Sequence, residues 1–368
     1  MPILRLCHQP PSLTSSHDVL SETTVREFSA NGMEAKQHDF VPDTVARLIS
    51  KTRLPGGRTL LQAIAERYSL PRMVAGFHAD DVAWFSGTAG HGNIGCKIEK
   101  RLSNEGRYIF HLTDDWLSVP ALEQLARARL PIAQMIAVPT EGLVERVSSE
   151  FPNAPVELLE EPVDVERLAP PVEPRKRGEL PMVVWCGNPH NLRELPDCDR
   201  ILTKVYAEVP FCFRVISGTS KPDLEFGIPW EWKPYSYAGE AAMLHGAAAG
   251  LVPVRDSAYA RCKGTYKPKT YLAAGVPLVA SPVGYCKRVV RHGENGFLAD
   301  SVDDWVSSLL LLLRDGNLAE KMSVAARADA IARFSHQALI PQWAETLKKH
   351  FPRLDKTGRE NETQTQLA

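Results

Sequence analysis

Residues 261–298 read RCKGTYKPKTYLAAGVPLVASPVGYCKRVVRHGENGFL, and no other stretch of the chain carries as many agreeing structural signals. Four cations, Arg261, Lys263, Lys267 and Lys269, fall within its first nine residues with no acid among them. The full chain of 368 residues has a formal net charge of -1, so this local positive charge needs a local reason. A cluster of charges alone is also typical of a solvated surface loop. The residues that follow distinguish a ligand site from such a loop.

A short helix is predicted over 268–274. Pro268 is suited to a first helical position, where its missing N–H costs nothing, and Gly275 is suited to the left-handed residue that ends a helix. The N-terminus of such a helix presents backbone N–H groups and the positive end of its dipole beside Lys267. Together these features predict an anion site.

A buried strand is predicted directly after that helix. The run ValProLeuValAlaSer at 276–281 is continuously apolar, which is typical of a strand covered on both faces in a parallel sheet. Pro282, Val283 and Gly284 then end the strand in a turn, and open α/β sheets bind ligands at such carboxyl ends. A phosphate site is therefore favoured over an ordinary surface loop.

These residues resemble the C-terminal domain of retaining GT-B glycosyltransferases of glycosyltransferase family 4. That family carries a lysine, a YxAAGxPVVAxPVG run and an HGxNGFL turn, which here are Lys267, 271–284 and 292–298. Further matching stretches occur in the family's order, at 185–189, 232–236, 250–254 and 303–305. The resemblance covers roughly the second half of the chain, and a set of motifs is more specific than any single glycine pattern.

Composition agrees with two globular domains in a reducing compartment. Hydrophobic residues make up 44% of the chain, and its length suits two domains of about 150 residues each. The leucine run at 309–313 is far below the ~20 residues of a membrane span. The N-terminus MPILRLCHQPPS lacks a basic region followed by a long apolar one, so export is not expected. The seven cysteines lack metal-ligand spacing. A cytoplasmic protein with reduced thiols is expected.

The predicted architecture is α/β, because strands alternate with helices in both halves of the chain, as in doubly wound parallel sheets. With the resemblance, this implies the GT-B fold, in which two Rossmann-like domains face each other across a cleft. The stretch APPVEPRKRGELP is rich in proline and charge and is expected to be the linker. The expected divisions are an N-terminal Rossmann-like domain at 1–168, the linker at 169–181, a C-terminal Rossmann-like domain at 182–335, a helix at 336–353 that crosses back to the first domain, and a flexible tail at 354–368.

The resemblance implies transfer of a sugar from a nucleotide diphosphate donor, held by the second domain, to an acceptor hydroxyl, held mainly by the first. Preorganised cations would stabilise the charge that develops on the leaving diphosphate. Lys267 is the leading candidate, with Arg261 or Lys263 as its partner. As an exposed lysine, Lys267 is expected to contribute little to stability. No permanently bound cofactor and no metal is expected, because no carboxylate or histidine cluster has ligand spacing.

Other candidates for the donor site follow predicted strands. Arg193 lies after the GlyAsnPro turn that begins at Gly187, and it is equally well read as a diphosphate ligand or as a surface arginine. Gly218 and Thr219 end a strand and could border the nucleotide, because glycine lets a backbone approach a ligand closely. Gly284 belongs to the turn after the buried strand.

The chain departs from the family where many members carry two glutamates, the second of them directly before the tyrosine of the YxAAG run. Cys262 and Thr270 stand at these positions. In the family the second glutamate usually holds the donor ribose, and the hydroxyl of Thr270 offers a weaker, shorter-reaching contact. The identity of the nucleotide and the stereochemical course stay open on this ground.

In the first half, Asp114 and Asp115 end a predicted strand where the family often has a histidine and an aspartate that face the sugar. Adjacent residues of a strand point to opposite sides, so one of the two at most is expected to face the ligand. That carboxylate would act as a base or hold a sugar hydroxyl. A helix N-cap role is an equal alternative for either aspartate.

Two function hypotheses remain from the sequence. The first is an active glycosyltransferase, a hexosyl- or pentosyltransferase that works with retention and without a metal. Its acceptor would be a glycan, a lipid-linked or small-molecule acceptor, or a modified DNA base, and the near-zero net charge argues against a dedicated DNA binder. The second, motivated by Cys262 and Thr270, is a catalytically degenerate GT-B protein that binds a nucleotide sugar or partners another enzyme. The oligomeric state, the donor sugar and the base stay open.

Overall fold

The computed structural model describes residues 2–9, 17–52, 57–86, 93–170, 180–264 and 266–355. The chain divides into two compact units, Met1–Pro162 with His336–Ala368, and Val163–Ser335. The division after Pro162 lies before the stretch expected to be the linker, and residues 171–179 of that stretch lie outside the described residues. The described residues from His336 to Asp355 belong to the first unit, and residues 356–368 of the expected tail lie outside the described residues.

The first unit is built on a parallel sheet. Its described strands are β1 (Leu4–His8), β2 (Ala35–Asp39), β3 (Val82–Ser86), β4 (Tyr108–His111), β5 (Met135–Val138) and β6 (Val156–Leu158). They lie side by side in the order β2-β1-β3-β4-β5-β6. The helices between them are α1 (Glu22–Ala30), α2 (Asp43–Ser50), α3 (Gly57–Ala75), α4 (Asn93–Asn104), α5 (Pro120–Arg129) and α6 (Glu141–Glu150).

The second unit has its own parallel sheet. Its described strands are β7 (Met182–Cys186), β8 (Cys212–Ile216), β9 (Trp230–Lys233), β10 (Ala247–Val252), β11 (Leu278–Ala280) and β12 (Gly296–Leu298). Their order is β12-β11-β10-β7-β8-β9. The helices are α7 (Asp199–Glu208), α8 (Glu240–Leu244), α9 (Ala258–Cys262), α10 (Tyr266–Ala273), α11 (Cys286–Val289), α12 (Val302–Arg314) and α13 (Gly316–Phe334). The helix α14 (His336–His350) follows and belongs to the first unit.

Both faces of the second sheet are covered, which explains the continuously apolar strand predicted at 276–281. Leu278 and Ala280 pack in one cluster with residues of α10 and α13. Val279, between them, points to the other face and packs in a cluster with residues of α7 and α12. Successive side chains of a strand alternate between the faces, so a strand buried on both sides has no polar position.

The helix α10 begins earlier than the sequence predicted. It starts at Tyr266, so that Pro268 is its third residue and Lys267 lies inside its first turn rather than before it. Its end agrees with the prediction, because Gly275 has a φ of 68° and donates its N–H to Leu272, while Val276 donates to Tyr271. This pair of hydrogen bonds is the Schellman arrangement that a glycine after a helix allows.

The HisGlyGluAsnGlyPheLeu turn at 292–298 has a structural role in this fold. Asn295 is buried, and its side chain accepts the N–H of Arg291 at 2.8 Å and donates to Val289 and to Asp329 of α13 at 3.1 and 2.9 Å. Asp329 also pairs with Arg333 at 2.6 Å. The motif thus ties the turn before β12 to α13.

The helix α14 completes the core of the first unit. The ring of Trp343 stacks on Trp84 of β3 with centroids 5.2 Å apart, and it also lies 6.4 Å from the ring of Phe28 of α1. Stacked and offset aromatic pairs of this kind bury a large apolar area. In the part of the chain that the structure describes, no helix is long and apolar enough to cross a membrane.

Candidate functional site

The second sheet reverses its strand order between β7 and β10, which are hydrogen-bonded neighbours. In open α/β sheets, a crevice for ligands forms at the carboxyl ends of the strands at such a switch point. Cys186 is the last residue of β7 and so stands at this place. Its backbone N–H donates to the hydroxyl of Tyr271 at 2.6 Å, so the buried tyrosine of the YLAAG run fixes the end of the strand.

A buried carboxylate, Glu240, lies at the centre of the side chains gathered here. Glu240 is the first residue of α8 and is 1% exposed. Its Oε1 lies 3.0 Å from Nζ of Lys267 and 3.8 Å from Sγ of Cys186. Its Oε2 accepts hydrogen bonds from Nη1 of Arg167 at 3.1 Å and from the hydroxyl of Tyr235 at 3.3 Å. A buried charge is tolerated when it is paired and hydrogen-bonded in this way.

Lys267 is held on several sides. Its Nζ lies 3.7 Å from Sγ of Cys186 and 4.9 Å from the centroid of the Tyr235 ring, in addition to its ion pair with Glu240. The side chain is 30% exposed, so the exposed lysine expected from the sequence is in fact a partly buried one that packs against a buried carboxylate. Burial works to lower the pKa of Lys267, but the carboxylate of Glu240, which pairs with its Nζ, outweighs burial and raises that pKa. Lys267 is therefore a fixed cation at every physiological pH.

Arg167 is the second cation of this cluster, and the sequence did not reveal it. Its Nη1 donates to Glu240 and to the backbone oxygen of Tyr237 at 3.0 Å, and its guanidinium lies 4.0 Å from the centroid of the Tyr237 ring. The side chain is 15% exposed. Stacking and a fixed hydrogen-bond fork hold an arginine in one orientation, which suits recognition of phosphate.

The cluster of Arg167, Glu240 and Lys267 carries a net positive charge, since two cations share one carboxylate. Glu240 is fully buried, whereas both cations keep part of their surface exposed. An anion from solvent would therefore meet the cations, while the carboxylate behind them fixes their positions. Burial also raises the pKa of the Cys186 thiol to about 11, so this cysteine stays neutral and adds no negative charge. The arrangement is suited to binding a phosphate or diphosphate.

The other predicted cations are engaged elsewhere. Arg261 is exposed and makes two hydrogen bonds to Asp256, both of 2.7 Å. Lys263 lies 3.5 Å from the side-chain oxygen of Asn191, and Arg193 is exposed on the 3-10 helix Pro189–Glu194. The partner of Lys267 in its ion pair is thus Glu240, and the second cation at that carboxylate is Arg167 rather than Arg261 or Lys263.

The two positions that depart from the family are both buried. Thr270 is 1% exposed, and its hydroxyl donates to the backbone oxygen of Tyr266 one turn earlier in α10, at 3.4 Å. Cys262 is the last residue of α9 and is also buried. In this conformation the Thr270 hydroxyl is used within its own helix.

The predicted glycines line the same edge of the sheet. Gly187 follows β7, and its N–H donates to the backbone oxygen of Ile216 at 3.1 Å. Gly218 has a φ of 53°, and the exposed Thr219 follows it. Gly284 has a φ of 49° and packs against the backbone of α9, where a Cβ would lie 2.7 Å from the carbonyl oxygen of Ala260. Close backbone packing therefore explains why position 284 requires a glycine.

In the first unit, Asp115 is buried after β4 and accepts a hydrogen bond from the hydroxyl of Ser118. Arg146 of α6 lies 3.6 Å from the same carboxylate. Asp115 occupies the N-cap position of a 3-10 helix at Trp116–Ser118, but its side chain makes no capping hydrogen bond. The backbone oxygen of Asp114 accepts the N–H of Trp116, and Asp114 is partly exposed. Of the two, Asp114 is the more accessible to a ligand.

A buried histidine lies next to these aspartates. His111 ends β4, and its Nδ1 lies 3.1 Å from the hydroxyl of Ser86 at the end of β3. Its Nε2 lies 3.6 Å from Oε1 of Glu161, and Trp84 packs edge-on against the ring at 5.5 Å. Burial lowers the pKa of His111 from 6.5 to about 3. The ring is therefore neutral in the folded protein. Within the described residues, no group of three or more His, Cys, Asp or Glu side chains could hold a metal ion.

The depressed pKa of His111 predicts a loss of stability on acidification. The unfolded chain takes up a proton at this histidine below pH 6.5, whereas the folded protein does so only near pH 3. The free energy of unfolding should therefore fall as the pH drops through this window, by about 2 kcal/mol near pH 5 from this group alone. Urea unfolding at neutral and acidic pH should show that the free energy of unfolding depends less steeply on pH in His111→Gln than in the wild type. The exposed His190 provides the control, because His190→Gln should keep the wild-type dependence. If the free energy of unfolding fell equally steeply with pH in the wild type and in both variants, the lowered pKa of His111 would be contradicted.

Residues 271–329 match the family described as glycosyl transferases group 1. Two curated relatives agree over a similar length. The N-acetyl-alpha-D-glucosaminyl L-malate synthase of Bacillus anthracis is 30% identical over 90 residues, or 24% of this chain and 23% of the relative. The D-inositol 3-phosphate glycosyltransferase of Thermobispora bispora is 36% identical over 87 residues, or 23% of this chain and 20% of the relative. The alignments thus span less than a quarter of either relative.

Solved structures extend the likeness to nearly the whole chain. Sucrose-phosphate synthase from Thermosynechococcus elongatus has a TM-score of 0.67 at 13% identity, covering 95% of this chain and 99% of that one. The Anabaena protein HepE in complex with UDP and glucose has a TM-score of 0.64 at 12% identity, covering 95% and 100%. At these identities the likeness shows the fold. The resemblance to glycosyltransferases and the α/β fold class with two Rossmann-like domains of the GT-B type, both predicted from the sequence, are confirmed.

Glu240 and Arg167 are the residues of the candidate site that the sequence did not reveal. Glu240 stands in the sequence GlyGluAlaAlaMetLeu and Arg167 in AspValGluArgLeu, and both read as charged positions on a helix surface. Their contacts join residues far apart in the chain, since the Arg167–Glu240 hydrogen bond spans 73 residues. One signal was present: TrpLysProTyrSer at 232–236, which the resemblance singled out, contains Tyr235 of the cluster.

Proposed function

We propose that this protein is a glycosyltransferase that moves a sugar from a nucleotide diphosphate sugar to an acceptor hydroxyl, as a hexosyl- or pentosyltransferase. The observation that carries the proposal is the cluster of Arg167, Glu240 and Lys267 at the carboxyl end of β7. It places two oriented cations at the switch point of a Rossmann-like sheet, where ligands of such sheets bind. The match of residues 271–329 to group 1 glycosyl transferases supports the same assignment.

In the proposed reaction, the bond from the sugar's anomeric carbon to the diphosphate breaks, and a bond to the acceptor oxygen forms. The leaving diphosphate gains negative charge, and Lys267 and Arg167 stabilise that charge without moving, because Glu240 already orients them. The acceptor proton passes to a base, for which Asp114 is the more accessible candidate. Retention at the anomeric carbon is a part of the proposal that rests on the resemblance alone. Independence from a metal is a part that rests on the lack of metal-ligand spacing among the carboxylates and histidines of the sequence.

The nucleotide is proposed to contact the loops after β7 and β8, where Gly187, Gly218 and Thr219 lie. Thr270 is not proposed as a strong ribose ligand, since its hydroxyl is buried and donates within α10. HepE was solved with UDP and glucose, and the pneumococcal O-GlcNAc transferase GtfA with UDP and GlcNAc. These complexes make UDP sugars the first donors to test.

The test is incubation of the purified chain with a panel of sugar nucleotides, followed by measurement of nucleoside diphosphate release with and without candidate acceptors. Release that depends on the sugar nucleotide supports the proposal. Binding of a sugar nucleotide without any turnover or hydrolysis across the panel would instead favour the degenerate GT-B protein that the sequence left open. Thermal-shift measurements on the same panel report binding independently of turnover.

Arg167→Met is expected to lower kcat/KM for the donor by about 100-fold, because one of two preorganised cations at the diphosphate is lost. Arg167→Lys should retain part of the activity, since it keeps the charge but loses the planar fork. The matched control is Arg255→Met. Arg255 makes a bidentate pair with Asp197 at 2.5 and 2.8 Å on the exposed surface, and its loss should change kcat/KM by about twofold or less. Steady-state kinetics that rank Arg255→Met with Arg167→Met would refute the role of Arg167.

A further inference from the structure

The first sheet reverses its strand order between β1 and β3, as the second sheet does between β7 and β10. Cys7 of β1 pairs with Phe85 of the parallel β3, so His8 and Ser86, the last residues of the two strands, lie side by side. Ligands of open α/β sheets bind at such a point. The side chains around the end of β1 therefore indicate what kind of ligand the first unit can bind.

A buried carboxylate lies at the end of β1. Gln9 directly follows the strand, and its side-chain amide donates to Oε1 of Glu66 in α3 at 2.6 Å. Gln62, one turn earlier in α3, donates to the same oxygen at 3.0 Å. Glu66 is 1% exposed. In the part of the chain that the structure describes, no lysine, arginine or histidine pairs with Glu66, and its Oε2 accepts no hydrogen bond.

The core of the unit gives no reason for this charge. A buried carboxylate is normally paired with a cation, because an unpaired charge is costly to remove from water. Glu99 in the same unit shows that arrangement. It is also 1% exposed, but it pairs with Arg129 at 2.8 Å and accepts the hydroxyl of Tyr108 at 3.1 Å. Glu66 has two neutral amides instead, so a cationic ligand would supply the partner that the fold does not.

The residues that hold Gln9 in place bring a second carboxylate to the same point. The side-chain amide of Gln37 donates to Nε2 of His8 at 2.6 Å. Nδ1 of His8 therefore carries the ring proton and donates to the backbone oxygen of Gln9 at 2.7 Å. Oδ1 of Asp39, the last residue of β2, lies 3.9 Å from the same Nδ1. Asp39 is partly exposed, so it can also meet a ligand.

The sequence gives the whole carboxyl edge of this sheet a negative charge. We compared the stretches that run from the last residue of each strand to the next α-helix, or to Pro162 after β6. They hold six acids, which are Asp18, Asp39, Asp114, Asp115, Glu160 and Glu161. They hold no lysine or arginine, whereas the average of the chain, 43 in 368 residues, would give about five. Such an edge favours cations over anions.

We propose that the acceptor of the sugar is a polyol that carries an amine, of which an amino sugar is the simplest example, and that its ammonium group binds Glu66. An ammonium group makes charge-assisted hydrogen bonds, which are stronger than those of a neutral amide. It can therefore displace the partly exposed Gln62 from Oε1. The hydroxyls of the polyol donate to carboxylates along the edge, such as Asp39. A phosphorylated sugar or a nucleic acid is repelled by the same carboxylates.

This inference rests on the proposed transfer, because it names the class of acceptor, but it concerns the first unit, whereas the donor site belongs to the second. Binding of the amine is therefore measured separately from turnover. If sugar nucleotides release their nucleoside diphosphate and amino sugars do not bind, the inference fails alone. If amino sugars bind through Glu66 and no donor turns over, the proposed transfer fails and the amine site is not an acceptor site.

The test is isothermal titration calorimetry on the full chain, with and without UDP. Glucosamine, galactosamine and mannosamine are compared with their neutral parent sugars, with their N-acetyl forms and with glucose 6-phosphate. At least one amino sugar should bind about tenfold more tightly than its neutral and N-acetyl counterparts, the effect of one charge-assisted hydrogen bond. Glucose 6-phosphate should bind most weakly. Equal binding of amino and neutral sugars, tighter binding of the phosphate, or no binding of any amino sugar would overturn the proposal.

Substitutions locate the contact. Glu66→Gln keeps the shape of the side chain and removes its charge, so amino and neutral sugars should bind this variant alike. Asp39→Asn should weaken binding of the amino sugar by about threefold, because a partly exposed charge acts through solvent. The control is Asp80→Asn, an exposed acid just before β3 at the opposite edge of the sheet, which should bind every sugar as the wild type does. An unchanged preference in Glu66→Gln, or an equal loss in Asp80→Asn, would overturn the proposal.

Stability distinguishes a ligand-binding carboxylate from a structural one. Glu66→Gln should leave the free energy of unfolding unchanged or raise it, because it removes a buried charge that has no cationic partner. Glu99→Gln is the matched buried control. It should lower the free energy of unfolding, since the buried Arg129 loses its carboxylate. Urea unfolding measures both variants. A loss in Glu66→Gln as large as that in Glu99→Gln would show that Glu66 serves the fold, which would contradict its assignment to the acceptor.

Discussion

Lys267→Ala is expected to lower kcat by about 1,000-fold, the largest effect on activity that a single residue of this protein should show. Lys267 is held by Glu240 at 3.0 Å and keeps part of its surface open to a ligand. Its charge is secure, because its pKa is raised by the groups around it. Removal takes away a cation that does not have to move as charge develops on the leaving diphosphate. Lys267→Arg should restore part of the activity, since it keeps the charge with a different geometry.

The same substitution should also affect stability. Alanine at 267 leaves the buried Glu240 with Arg167 and Tyr235 but without its closest cation. Loss of one partner of a buried carboxylate costs several kcal/mol when burial is complete, and the partial exposure of Lys267 reduces this to about 1–2 kcal/mol. A stability loss alone could lower activity in an assay, so the two effects need to be separated.

A double variant separates them. Lys267→Met with Glu240→Gln removes both charges and leaves a neutral side chain of similar shape at each position. It should recover part of the lost free energy of unfolding, because position 240 no longer holds a buried charge, while Arg167, whose side chain is 15% exposed, loses its carboxylate partner. It should recover none of the lost kcat. Urea unfolding and steady-state kinetics on the single and double variants measure the two quantities. Recovery of kcat in the double variant would show that Lys267 acts through stability rather than through the diphosphate.

Much of the fold was predictable because its signals are local. The apolar strand predicted at 276–281 contains β11 at Leu278–Ala280. The glycine that ends α10 adopts the left-handed conformation that the sequence required. In each case the decisive residues are neighbours in the chain, so composition and spacing suffice.

Short strands and helix starts were harder to predict. The strands that were not predicted are β5 (Met135–Val138), β6 (Val156–Leu158), β9 (Trp230–Lys233) and β12 (Gly296–Leu298). Of these, β6, β9 and β12 lie at sheet edges, whereas β5 lies between β4 and β6. A strand of three or four residues has too few positions to show a period of two. Pro268 was expected to begin α10, but a proline is tolerated throughout the first turn of a helix, so it does not fix the first residue.

The residues of the candidate site also differ in whether a local sequence pattern reveals them. Lys267 could be found because its neighbours form a recognisable pattern. Glu240 could not, because no periodicity tells which acid of a chain becomes buried. The ion pair of Glu240 with Lys267 spans 27 residues and its hydrogen bond with Arg167 spans 73 residues, so these contacts exist only once the sheet has formed. The sequence also favoured Arg261, whose exposed pair with Asp256 joins residues close in the chain.

Gly284→Ala is expected to lower the free energy of unfolding by about 3 kcal/mol, the largest loss of stability we predict. The φ of 49° at Gly284 costs an alanine about 1 kcal/mol. In addition, its Cβ would lie 2.7 and 2.9 Å from the carbonyl oxygens of Ala260 and Arg261. These are backbone atoms of α9, so neither can swing away, and overpacking of this kind costs about 1–3 kcal/mol.

Gly293→Ala is the matched control. Gly293 has a φ of 82°, yet a Cβ there would meet nothing within 4 Å. Gly293→Ala should therefore lower the free energy of unfolding only by what a positive φ costs an alanine, about 1 kcal/mol. The difference between the two variants then isolates the contact of position 284 with α9. Chemical unfolding followed by tryptophan fluorescence measures both. Equal losses would show that the approach of Gly284 to α9 is not tight. If Gly284 instead serves only to let a nucleotide approach the backbone, Gly284→Ala would raise KM for the donor and leave the free energy of unfolding close to that of Gly293→Ala.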